Sequence, residues 1–86
     1  MEELYAKYRD CGYRVTTDSR AVRGGEIFFA LRGENFDGND YALKALQAGA
    51  AWAVINDDAA PGDAGELAGR FIRVPDPFTT LRELAV

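Results

Sequence analysis

The chain has 86 residues, 48% hydrophobic and 28% charged, with a formal net charge of −4. That length supports one small ordered domain, whose single core buries roughly 60–65% of the surface of the unfolded chain. No apolar run approaches the ~20 residues that cross a bilayer, and the acidic start Met1-Glu2-Glu3 is unlike a signal peptide, so a cytoplasmic protein without membrane insertion is expected. The single cysteine, Cys11, excludes a disulfide framework and a cysteine-built zinc site, and the lack of histidine removes imidazole as base, nucleophile or ligand.

Leu4, Tyr5 and Tyr8 have helical spacing behind the acidic Glu2 and Glu3, which suit a helix N-terminus, and Gly12 offers a stop. Arg14 to Thr17 is rich in β-branched residues and reads as a short strand ending at Asp18-Ser19-Arg20. Gly24-Gly25 marks a turn. Ile27 to Leu31 is an unbroken apolar run, the pattern of a strand buried on both faces. Gly33 to Gly38 is a polar loop with one aromatic, Phe36. Asn39 or Asp40 is then positioned to cap a helix running to about Gln47, with Ala42, Leu43 and Leu46 on one side and Gly49 as the stop. Trp52 to Ile55 is a second buried-type strand, Asp57 to Gly69 a loop with one weak helical turn, and Phe71 to Val74 a further strand. Asp76 caps a last helix with Pro77 at its first position.

This order predicts a small α/β domain of two or three layers, with a mixed or parallel sheet containing a βαβ crossover over residues 27–55. Ligands of open α/β sheets bind beyond the carboxyl ends of the strands, which places the loop Arg32–Asn39 at the binding edge. Leu81, Leu84 and Ala85 keep helical spacing right up to Val86, with no cap or polar tail, so residues 1–86 are expected to be one domain of a longer protein.

The acidic balance argues against nucleic acid as a partner, but residues 14–32 hold Arg14, Arg20, Arg23 and Arg32 against only Asp18 and Glu26. A positive segment in an acidic chain is either a solvated surface or the place of an anionic ligand. Only Lys7 and Lys44 are lysines, and neither follows a phosphate-cradling glycine loop. Asp57-Asp58 is a candidate cation pair or simply a solvated loop, Asp37 and Asp40 suit capping as well as catalysis, and Cys11 reads as a small buried residue. No catalytic residue and no metal ligand stand out. Two stretches carry more. Thr17-Asp18-Ser19-Arg20 offers hydroxyls, a carboxylate and a guanidinium after a strand, for a phosphate and sugar or for its own turn. Gly33-Glu34-Asn35-Phe36-Asp37-Gly38 offers Asn35 and Phe36 to hydrogen-bond and stack on a base, or is an ordinary connection with Phe36 in the core.

These two stretches, with Arg23 to Leu31 between them, Asn39-Asp40-Tyr41 after them and Ala-Gly-Ala-Ala-Trp-Ala-Val at 48–54, resemble the amino-terminal domain of the Mur ligases from about Thr16 onward. The resemblance implies a domain that grips the UDP part of a peptidoglycan precursor, UDP-N-acetylmuramoyl-tripeptide, in cell-wall synthesis. It places the substrate on Asp18, Ser19 and Arg20, and on Asn35, Phe36, Asp37 and Gly38. It also implies an ATP- and magnesium-dependent peptide ligase as the whole protein, forming an acyl phosphate and passing the acyl group to D-Ala-D-Ala, with residues 1–86 alone inactive. Glu34 stands where the member acting one step earlier usually has histidine, which favours the D-Ala-D-Ala-adding member. Asn39 also stands where relatives often have histidine. The alternatives are that earlier-acting member, or a stand-alone module that binds a protein through Tyr5, Tyr8 and Tyr13.

Overall fold

A computed structural model describes residues 2–85. Four strands, β1 (Val15–Thr16), β2 (Ile27–Phe29), β3 (Trp52–Asn56) and β4 (Phe71–Val74), form one sheet in the order β1-β2-β3-β4, with every neighbouring pair parallel. Three helices accompany it: α1 (Glu2–Asp10), α2 (Ala42–Gln47) and α3 (Pro77–Ala85). The sheet is thus wholly parallel, and the predicted strand–helix–strand unit is β2-α2-β3.

The layering follows from alternation along buried strands. Phe28, Ala30, Ala53 and Ile55 face one side, where they meet Ala42, Ala45 and Leu46 of α2, with Val22 and Leu67 from the other two crossovers packed alongside. Ile27, Phe29 and Val54 face the other side and meet Leu4 and Cys11 near α1 and Leu84 of α3. All three connections therefore run over one face. Parallel crossovers of a single hand on a single face advance the strand order in one direction, as observed. The helices at the two ends of the chain cover the opposite face and give three layers.

Several local expectations are met for the expected reasons. Asp76 accepts from the Phe78 backbone N–H (3.1 Å) and from the Thr79 hydroxyl (2.8 Å), with Pro77 opening α3. Cys11 is buried and its thiol donates to the Tyr8 and Arg14 carbonyls. The weak helical turn in the β3–β4 connection is a 3-10 turn at Gly65–Arg70. Helical spacing continues in α3 through Leu84, and the expectation at Val86 lies outside the described residues.

Two boundaries differ. The strand read as 27–31 ends at Phe29, because Leu31 turns out of the sheet and accepts from the Gly38 N–H at 2.7 Å. The helix cap is neither Asn39 nor Asp40. Asp37 accepts from the Asn39 N–H (2.9 Å) and opens a 3-10 turn at Gly38–Tyr41, which leads into α2 at Ala42. Asn39 is unavailable for capping because it is buried against β3: its amide donates to Asp37 (2.7 Å) and to Asn56 Oδ1 (2.9 Å), and its oxygen accepts from the Asn56 N–H (3.0 Å).

Glu26, just before β2, is only 6% exposed and accepts from the Arg23 and Gly24 N–H groups, both at 2.8 Å. It pins the Gly24-Gly25 turn, where both residues have positive φ. Burial pushes its carboxyl up, but the backbone N–H groups of Arg23, Glu26 and Gly24 together outweigh that and hold it below its ordinary value of 4.5. The stability it contributes is present above that value and is lost as pH falls through the lower native value. Glu26→Gln retains one acceptor and turns an amide donor toward a backbone donor. An expected loss of about 1–3 kcal/mol lowers Tm by roughly 5–20 °C at neutral pH. In thermal unfolding across the acid range, the gap between variant and wild type should narrow as Glu26 protonates; a gap independent of pH would rule out the charged form as its source.

Candidate functional site

Beyond the carboxyl ends of β1 and β2 lies a cleft of about 500 Å3. One wall is Thr17 to Arg20, the other Phe36, Tyr41 and Lys44, and Phe28 of β2 completes the lining. The first wall is shaped by its own side chains. The Asp18 N–H donates to the Thr16 hydroxyl, and Asp18 Oδ1 accepts from the Arg20 N–H at 2.9 Å, capping a 3-10 turn at Ser19–Ala21. The Arg20 guanidinium lies side-on to the same carboxylate, Nε 3.1 Å from Oδ1 and Nη2 3.2 Å from Oδ2. That side-chain bond, then the Arg20 N–H, holds the Asp18 carboxyl below its ordinary value. The Arg20 side chain is 89% exposed, and its Nη1 has no partner among the described residues.

The second wall is aromatic. Phe36 and Tyr41 stack with ring centroids 5.3 Å apart and planes 11° apart, and Phe36 is 51% exposed. Phe36 is therefore a surface ring, which removes the reading that tucked it into the core. Lys44 Nζ sits 5.7 Å from the Tyr41 ring centroid.

Of the residues singled out in the sequence, Asp18, Ser19, Arg20 and Phe36 line the cleft together. Asn35 is exposed on the same loop without lining it. Asp37 and Gly38 build the loop: Asp37 caps the 3-10 turn and pairs with Arg32 at 3.2 Å, while Gly38 is buried against the Leu31 backbone. Burial pushes the Asp37 carboxyl up, but the Asn39 N–H groups and Arg32 outweigh it and hold the group low. Asp58 pairs with Arg32 at 3.0 Å, and no cluster of three or more potential metal ligands occurs among the described residues. The sequence reading singles out neither Phe28, Tyr41 nor Lys44 as a site residue. Tyr41 lies in the Asn39-Asp40-Tyr41 stretch that carries the family resemblance, while Lys44 offers only its i, i+3 spacing from Tyr41, which any helix surface shows. Along α1 and just past it, Tyr5 and Tyr13 are exposed and meet Tyr8 edge to face.

The family model "Mur ligase family, catalytic domain" matches residues 13–85. This chain belongs to the Mur ligase family. It is 39% identical over 71 residues to the UDP-N-acetylmuramoyl-tripeptide–D-alanyl-D-alanine ligase of Synechocystis, a match covering 83% of this chain and 15% of that protein. It is 41% identical over 71 residues to the UDP-N-acetylmuramoyl-L-alanyl-D-glutamate–2,6-diaminopimelate ligase of Parasynechococcus marenigrum, covering 69% of this chain and 14% of that protein. Among solved structures, the MurF ligase of Thermotoga maritima in complex with ADP superposes with a TM-score of 0.67 at 32% identity, over 84% of this chain and 16% of that one. The parallel sheet is thus a Mur ligase fold, and the chain spans about one-sixth of that structure. Both walls of the cleft fall inside the span of the Mur ligase family match. No helix among the described residues is long and apolar enough to cross a membrane.

Proposed function

We propose that this Mur ligase domain holds the uridine diphosphate part of UDP-N-acetylmuramoyl-tripeptide in the cleft between Thr17–Arg20 and Phe36–Lys44. It does so as one domain of a longer cytoplasmic ligase that adds D-Ala-D-Ala in peptidoglycan synthesis. The observation that carries this reading is the pairing, in one cleft, of an oriented exposed guanidinium with exposed stacked aromatics. A nucleoside diphosphate presents the complementary surfaces: an aromatic base and an anionic tail. Arg20 meets phosphate through Nη1, Thr17 and Ser19 offer hydroxyls, Phe36 takes the base, and Asn35 beside it offers an amide for the base edge. Asp18, Asp37 and Gly38 keep these groups in place.

ATP and magnesium do not fit the residues of this domain. The sequence has no glycine loop leading into Lys-Ser or Lys-Thr, and the described residues gather no cation site. Acyl transfer is accordingly assigned to other parts of the ligase, and this domain alone is inactive.

Relatives of both the D-Ala-D-Ala-adding and the diaminopimelate-adding type match this chain. Glu34, at the position where the latter type usually has histidine, favours the former. Assaying the full-length protein with D-Ala-D-Ala plus tripeptide precursor, and with diaminopimelate plus dipeptide precursor, separates the two. For the cleft itself, adding UDP to the 86-residue chain should shift amide resonances most at 17–20 and 33–44. If the largest shifts cluster on Asp57–Gly69 instead, the cleft assignment fails.

A further inference from the structure

We infer that Lys44 is the residue that gives the cleft its net attraction for the phosphates, a role distinct from that of Arg20. The inference rests on the nucleotide reading of the cleft and deepens it.

Three charged side chains line the cleft: Asp18, Arg20 and Lys44. Arg20 is bound side-on to Asp18, so at a distance the pair is close to neutral. It orients a donor but contributes little long-range field. The ammonium of Lys44 has neither an ion pair nor a side-chain hydrogen bond among the described residues. The four ion pairs among the described residues join Arg9 to Asp10, Arg20 to Asp18, and Arg32 to Asp37 and Asp58. Lys44 is therefore the uncompensated charge of the cleft. The face of Tyr41 attracts the ammonium, at 5.7 Å from its centroid, toward the cleft wall. An ammonium is a compact point charge with three donors and needs no fixed approach angle, whereas the paired guanidinium offers only its remaining edge.

The two cations thus divide the work: Arg20 fixes where a phosphate oxygen docks, and Lys44 supplies the charge that favours an anion over a neutral nucleoside. Lys7, the other lysine, sits over Trp52 (4.6 Å) and lines no part of the cleft, so it serves as a control of equal charge.

The test compares UDP and uridine binding, by amide-shift titration, in wild type, Lys44→Ala, Lys44→Arg and Lys7→Ala. Wild type should bind UDP more tightly than uridine. Lys44→Ala should lose about tenfold in UDP affinity while uridine affinity holds, as expected for one charge-assisted contact. Lys44→Arg should keep most of the UDP preference, and Lys7→Ala all of it. If UDP still shifts the cleft amides but its preference over uridine is unchanged in Lys44→Ala, the role of Lys44 is overturned and the nucleotide cleft stands. A loss of equal size in Lys7→Ala also overturns it, since net charge would then suffice. If UDP fails to shift the cleft amides of wild type, the nucleotide reading falls first and takes this inference with it.

Discussion

Gly38→Ala is expected to cost about 1–3 kcal/mol, lower Tm by roughly 5–20 °C and weaken whatever the cleft binds. A Cβ on Gly38 would lie 2.6 Å from Leu31 N, 2.9 Å from Leu31 O and 3.0 Å from Ala30 Cα. All three are backbone atoms just past β2, so no side chain can rotate away. The loop must move instead, breaking the Gly38 N–H bond to Leu31 O and carrying Phe36 with it. Gly33→Ala provides the control in the same loop: its nearest neighbour would be Phe36 O at 3.8 Å, an ordinary contact. Thermal unfolding of both variants, with UDP titration of each, reads the difference. Equal losses in the two would show that loop flexibility matters here and the close approach at Gly38 does not.

Arg20→Ala should weaken UDP binding about tenfold or more, while Arg70→Ala leaves it nearly unchanged. A charge-assisted hydrogen bond is worth about 1.5–3 kcal/mol, and a distant surface charge is screened by salt. Arg70 precedes β4, at the opposite end of the parallel sheet. Its guanidinium lies 5.3 Å from the Trp52 ring centroid and donates to the Ala51 carbonyl at 3.2 Å. The Arg20 variant should remain folded, because its ion pair with Asp18 is solvent-exposed and such pairs add little stability. The Asp18 cap also stays, since it accepts from the Arg20 backbone N–H. Circular dichroism verifies folding, and titration with UDP gives the two affinities. Equal losses in two folded variants would mean nonspecific attraction and would remove the nucleotide role from the Asp18-Ser19-Arg20 turn.

Arg20 and Lys44 differ in how they could be found. Arg20 sits in a short motif directly after a strand, so its place at a strand end is legible from local sequence. Lys44 is one charged residue on a helix, indistinguishable in the sequence from a solvated surface lysine. Its importance depends on Phe36 and Tyr41 folding beside it and on Asp18 neutralising Arg20, relations between segments that no local pattern encodes. The same holds for Asp37 and Gly38. The sequence places them in the binding loop, and the structure shows them shaping that loop from beneath, with a carboxylate cap and a backbone contact.

The sequence by itself determined what short-range physics governs. The apolar runs at 27–31 and 52–55 mark buried strands, although only tertiary structure ended the first at Phe29; Asp76-Pro77 had to open a helix, and the short crossover between the two runs had to give a parallel pair. Tertiary structure alone decided where polar side chains find partners. Asn39 is a good cap in isolation, but Asn56, 17 residues away, takes its amide and carbonyl, leaving the cap to Asp37. In the sequence Glu26 is only one of two acids counted against the arginines of residues 14–32, yet the turn before β2 wraps two N–H groups around it. Helical spacing, caps and alternation act over a few residues and leave their trace in neighbouring letters. A buried hydrogen bond between distant segments forms only once the core has brought them together, because it must replace the water that each group loses there.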